Sequence, residues 1–177
     1  MNKLLNLLLG VAVVLSVAAC GPKKVSEADL KKAEASLFNA DATVNQESVP
    51  GMIETYCRFA DENPGNALAP QYLFKAFEVA VNFGKPEEAL EMGNKLAASY
   101  PEYEKTSVAL FMMGSLVYED KLHDLDKARA MYDKILSDYP DSDFAPSAEQ
   151  AIKNLGKTPE ELIREFELMN ADTTVIQ

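Results

Sequence analysis

Tyr132-Asp133-Lys134-Ile135-Leu136-Ser137-Asp138-Tyr139-Pro140-Asp141-Ser142-Asp143-Phe144-Ala145 decides how the rest of the chain reads. Its Ser137-Asp138-Tyr139-Pro140 returns upstream as Ala98-Ser99-Tyr100-Pro101 and Asp61-Glu62-Asn63-Pro64, so that Pro64, Pro101 and Pro140 punctuate the chain almost evenly. A period of roughly 40 residues marks stacked copies of one supersecondary unit. The match runs beyond the prolines. Ala89, Met92, Lys95, Leu96 and Tyr100 recur one unit later, in the same order and at the same spacing, as Ala128, Met131, Lys134, Ile135 and Tyr139, while Ala69-Pro70 returns two units on as Ala145-Pro146.

Each unit reads as a helical hairpin. The spacing predicts helices over 26–38 and 49–62, then 70–83 and 86–99, then 105–119 and 125–138, and last 146–155 and 159–169. Ser26 supplies an N-cap for the first, and Gly84 and Gly156 supply C-terminal stops. Pro86-Glu87-Glu88 and Pro159-Glu160-Glu161 place proline where a missing N–H costs nothing, with acids that complement the helix dipole. No alternating β-branched run outside Val11–Val17 predicts a strand. The expected fold is all-α, an antiparallel stack of three to four hairpins over 26–169 with a short tail at 170–177.

Working outward to the N-terminus, Lys3 precedes an apolar stretch from Leu4 to Val17, and Leu15-Ser16-Val17-Ala18-Ala19-Cys20 closes it. That stretch has signal-peptide length and falls short of the roughly 20 residues a spanning helix needs. Residues 1–19 are therefore expected to be removed, with 20–25 as a tether. The small residues ahead of Cys20 resemble the lipobox of bacterial lipoproteins, which implies acyl chains on Cys20. No cofactor is expected beyond that covalent lipid. Gly21-Pro22-Lys23-Lys24 follows in place of an Asp, which by analogy with proteobacterial lipoproteins points to the outer membrane and its periplasmic face.

The totals narrow the partners. The chain has 17 basic and 28 acidic residues. Losing the leader removes only Lys3 among charged side chains, so 16 against 28 leaves the mature chain at −12. Nucleic-acid binding draws on clustered cations, and the only basic doublets, Lys23-Lys24 and Lys31-Lys32, sit beside the tether. No nucleic-acid partner is expected. With Cys20 acylated, Cys57 is the one thiol left; its helical apolar surroundings, Met52 to Ala60, make it a core residue rather than a reactive one.

Enzymatic chemistry needs a nucleophile beside a base, or a cluster of metal ligands. His123 is the only histidine and falls in the turn Lys121 to Asp126, so a multi-histidine zinc site within one chain is excluded. Asp138, Asp141 and Asp143 lack the loop glycine and terminal glutamate of an EF-hand. The glycines are isolated rather than gathered in a phosphate loop. The chain is expected to be non-catalytic and metal-free.

Gly114, Tyr118, Ala128, Tyr132 and Pro140, with Gly84, Ala89 and Pro101 one unit earlier, resemble the tetratricopeptide repeat. More narrowly, the Tyr132–Ala145 stretch is similar to repeats of two Gram-negative envelope families: the lipoprotein subunit of the outer-membrane β-barrel assembly machine, and the periplasmic coordinator that works with the Tol-Pal system. The likeness is good over 66–156 and poor over 26–64. Phe77 departs from it, standing where the first helix of a repeat usually carries a small residue, and so does the turn Asp120–Asp124, which holds about two extra residues.

The resemblance implies a concave groove lined by the first helices of successive units. Gln71, Phe74, Glu78 and Asn82 of one unit and Phe111, Ser115, Tyr118 and Glu119 of the next would face it, although Phe74 and Phe111 could equally be core. Aromatic anchors within a polar rim suit a protein interface. The expected function is a lipid-anchored scaffold that binds another envelope protein or a peptide. The alternative is an accessory lipoprotein presenting a glycan or peptide within an uptake system, for which the absence of Trp is unfavourable.

Overall fold

A computed structural model of the chain describes residues 23–174; the expected leader, Cys20 and the last three positions lie outside that range. Eight α-helices follow in order: α1 Glu27–Ser36, α2 Val49–Glu62, α3 Ala69–Asn82, α4 Pro86–Ser99, α5 Thr106–Met112, α6 Leu125–Asp138, α7 Ala145–Asn154 and α8 Pro159–Thr174. α5 continues directly as a π-helix, Met113–Glu119, and a 3₁₀ turn at Gln46–Ser48 leads into α2. Among the described residues there is no strand, only an isolated bridge between Phe38 and Val44. The all-helical expectation therefore holds for these residues. α1 stops two residues early, and α8 takes in 170–174, which the sequence pattern assigns to the tail.

Local chemistry sets the edges. Ser26 and Asp29 form a reciprocal capping box on α1, satisfying two N–H groups that the helix cannot. Gly84 and Gly156 close α3 and α7 at φ +65° and +76°, a region that side-chain-bearing residues avoid. The three prolines open a shared connection. Asn63, Tyr100 and Tyr139 leave their helices at nearly the same angles, φ about −135° and ψ about 50°. Two successive turns follow each of them: Asn66 N–H to Asn63 and Ala69 to Asn66, then Tyr103 to Tyr100 and Thr106 to Tyr103, then Ser142 to Tyr139 and Ala145 to Ser142. Proline fixes the second residue of the first turn in each.

Consecutive helices pack against one another along the chain, α2 on α3, α4 on α5 and its π extension, and α6 on α7. One continuous core results, with Leu73, Leu96, Leu110, Met113 and Ile135 all buried between helices. Two glycines permit close approaches between helices. A β-carbon on Gly114 would lie 2.6 Å from Tyr132 Cε1, and one on Gly93 would overlap Met113 Sδ and come within 3.3 Å of the Phe77 ring. The two-residue surplus of the third unit is not confined to its turn, because it falls between Gly114 and His123, where the backbone widens. Asp120 N–H reaches back five residues to the Ser115 carbonyl, and Leu122 N–H five to Val117. No described helix is long and apolar enough to cross a membrane.

Candidate functional site

A candidate surface lies where α1, α2 and α3 meet. A cleft of about 350 Å³ is lined there by Phe38, Tyr56, Glu34, Lys75, Glu78 and Asn82, with Leu37, Met52 and Val79 beneath. α3 contributes Lys75, Glu78, Val79 and Asn82 at spacings of three and four residues, which places them on one helix face. α1 contributes Glu34, and the loop after it holds Phe38 at the rim, 56% exposed.

Glu34 organises the polar part. Its Oε1 accepts from Lys75 Nζ at 2.9 Å and from the Tyr56 hydroxyl at 3.1 Å, across 41 and 22 residues of sequence. The hydrogen bond from Lys75 holds the Glu34 carboxyl below its ordinary value, with Tyr56 adding to the effect. Burial, then the adjacent Glu34 charge, pushes the Tyr56 phenol up, so it remains a donor. The Lys75 ammonium also sits 4.6 Å from the centre of the Tyr72 ring, a cation–π contact. The one cation of the cleft is thus already engaged by a carboxylate and an aromatic face. Glu78 leaves an acidic balance beside the apolar floor.

The residues expected to line a groove divide. Glu78 and Asn82 do line this cleft, and Asn82 also borders a second, of about 230 Å³, with Leu116 and Lys121. Gln71 is exposed on the first turn of α3. Phe74 is core: it is 3% exposed and packs against Phe77 and Tyr103, with ring centres 5.9 and 6.4 Å away.

Phe111 is half-buried between Tyr132 and Phe144, so its main role is to join hairpins. Ser115 donates to the Phe111 carbonyl at 2.9 Å, and Glu119 accepts from the Tyr132 hydroxyl at 3.1 Å, which turns their polar groups inward. Tyr118 lies under the Lys127 ammonium, 5.7 Å from it. These four residues of the third unit are all partly exposed and line none of the α1–α3 cleft. Glu34, Phe38 and Tyr56 escape the sequence reading because the first unit matches the repeat poorly, whereas Lys75 stands on α3, where the likeness is good, as the cation beside the expected groove. One signal is present, since Tyr56 and Tyr132 stand two units apart, in step with the two Ala-Pro helix starts.

Among the described residues, the one thiol and the one imidazole sit elsewhere. Cys57 lies on α2, and burial pushes its thiol up to about 11, far from the range of a reactive thiolate. His123 is exposed at a turn with φ +53°, its Nδ1 3.2 Å from the Glu119 carbonyl. No family model, no curated protein and no solved structure matches the chain.

Proposed function

We propose that the chain is a non-catalytic, lipid-anchored scaffold of the bacterial envelope, a tetratricopeptide-like stack whose α1–α3 cleft binds another envelope protein. The observation that carries this reading is the cleft itself, an exposed aromatic rim at Phe38 and an apolar floor, edged by Glu34, Glu78 and Asn82. Buried aromatic anchors inside a polar rim are how interfaces concentrate their energy. Because Lys75 is held by Glu34 and Tyr72, the cleft suits a segment with an apolar side chain and a cationic or amide group. A free carboxylate would find no unengaged cation there. Repetition of one connection at Asn63, Tyr100 and Tyr139 supports the solenoid. The lipobox-like Leu15–Cys20 supports the anchor.

Affinity capture from detergent-solubilised envelopes tests this. Wild type is expected to retain an envelope protein that a Phe38→Ala, Glu78→Lys variant loses, with both forms showing equal helicity and melting temperature. Retention by the variant, or recovery of a glycan in place of a protein, would reject the scaffold reading.

A further inference from the structure

On the other flank of α1 from the cleft, the chain gathers its cations. Lys23, Lys24, Lys32 and Arg58 line one open cleft of about 410 Å³, with Asp29 and Thr55. This is a local positive excess on a mature chain carrying 16 cations against 28 acids. Lys23, Lys24 and Lys32 make no ion pair with any described carboxylate, while Arg58 is held by Glu62 at 2.9 Å.

The segment presenting the first two cations is fixed rather than loose. Val25 is buried, its N–H donates to the Glu62 carboxylate, and the Lys24 ammonium donates to the Glu62 carbonyl at 2.8 Å. That carbonyl belongs to the negative end of α2, where a cation is favoured.

Resting on the reading that Cys20 is acylated, we propose that this cleft is a docking surface for anionic phospholipid headgroups of the leaflet that holds the acyl chains. The length of chain decides the occupant. Lys23 follows Cys20 by three positions, and a fully extended chain covers at most about 3.6 Å per residue, so the first cation stays within roughly 11 Å of the lipidated residue. That upper limit is of the same order as the Debye length of about 8 Å at physiological ionic strength, so the tether keeps Lys23 and Lys24 close enough to the headgroups to feel their partly screened field. Lys32 and Arg58 extend the same surface onto α1 and α2.

Docking through this flank would fix the orientation of the whole body. The acidic remainder is repelled from the surface, and the Phe38–Glu78 cleft on the other side of α1 turns toward the aqueous compartment, where a partner can reach it.

The test uses the full lipidated chain, purified in detergent and returned to vesicles of phosphatidylcholine alone or mixed with phosphatidylglycerol. Lysine acetylation is then read by mass spectrometry. Lys23, Lys24 and Lys32 are expected to react about fivefold more slowly on the anionic vesicles, the equivalent of roughly 1 kcal/mol per basic residue. Lys95 and Lys134 should be unchanged, and high salt should erase the difference. Lys32→Glu should weaken the protection of Lys23 and Lys24.

Equal acetylation on both vesicles, with fatty chains confirmed on Cys20, would overturn the docking surface and leave the anchor standing. Protection by inorganic phosphate without vesicles would overturn it in favour of a soluble anion. A Cys20 peptide without fatty chains would remove the anchor and this proposal together.

Discussion

The α3–α4 and α5–α6 hairpins meet at equivalent positions and fill them in opposite ways. Phe77 and Gly114 hold the matching place on the two first helices, and Gly93 and Tyr132 hold it on the two second helices. In the later hairpin the first helix is small and the second large, with Tyr132 lying over Gly114. In the earlier one the first helix carries the ring and the second is bare, with Phe77 and Met113 over Gly93. All of these side chains are buried, Phe77, Met113 and Tyr132 with no exposed surface. The lesson is that close packing conserves the volume filled across the two helices while leaving open which helix supplies it.

The strongest way to break this comparison is to exchange the sizes. Gly93→Tyr should drive a ring into Met113 and Phe77, and Gly114→Leu should wedge α6 from the π-helical segment. Each is expected to cost about 3 kcal/mol, the upper range for overpacking, or a fall of roughly 6–12 °C in melting temperature for a domain of this size. Phe77→Gly alone empties a site and should cost at least about 3 kcal/mol.

The double variant Phe77→Gly, Gly93→Tyr rebuilds the arrangement of the later hairpin. It should therefore lose about 2 kcal/mol less than the sum of its parts, a coupling within the range for touching residues. Strict additivity in thermal melts would contradict the size exchange. Recovery stops short of complete because Met113 also occupies the space.

A second comparison, smaller in effect, sharpens the likeness between the first and third hairpins. Tyr56 and Tyr132 occupy matching positions, and each hydroxyl donates to a glutamate from outside its own helix, Glu34 or Glu119. Tyr132→Phe and Tyr56→Phe are each expected to cost about 1.5 kcal/mol, near the boundary between neutral and charge-assisted hydrogen bonds.

Acid probes the first of these pairs. The folded carboxyl of Glu34 titrates below its ordinary 4.5, mainly because of Lys75. Its stabilisation is therefore present above that ordinary value and is lost as pH falls through the depressed folded one. Glu34→Gln should flatten the acid limb of a stability–pH profile to a small degree, since the side chain is 37% exposed and partly screened. An unchanged acid limb would detach Glu34 from the stability of the α1–α3 junction.

The smallest expected effects concern the two inner turns. Gly84 and His123 stand at the inner turns of successive hairpins and both adopt positive φ, +65° and +53°. Gly84→Ala should cost about 1 kcal/mol because the β-carbon enters a disfavoured region. His123→Gly should be neutral or stabilise by less than about 1 kcal/mol, the relief being offset by the greater freedom of glycine in the unfolded chain. Equal responses in denaturant titrations would mean that the wider π-linked turn does not hold His123 against its preference.

The helix borders were legible because proline, glycine and capping residues act locally. Pro64, Pro101 and Pro140 marked three connections that share one backbone path, and Ser26, Gly84 and Gly156 bounded helices where expected. The π-helix at Met113–Glu119 was not legible, since an apolar periodicity near that of an α-helix cannot reveal where the hydrogen bonds widen. The candidate cleft was half legible. Glu78 and Asn82 followed from the repeat, but their partners Glu34 and Tyr56 come from a unit that the repeat pattern barely covers, and Phe74 proved to be core.

By itself the sequence determined which segments are helical and, apart from the C-terminal ends of α1 and α8, about where each stops, because those choices depend on backbone N–H groups, fixed φ angles and glycine at positive φ within a few residues. It also determined the charge balance and the lipobox-like approach to Cys20. Only the tertiary structure decided which aromatic rings face inward, that Gly93 answers Phe77 as Gly114 answers Tyr132, and that Lys75 is held by Glu34 across 41 residues. Those outcomes turn on which helix approaches which, and that is settled by filling one shared core volume from several distant stretches of chain at once.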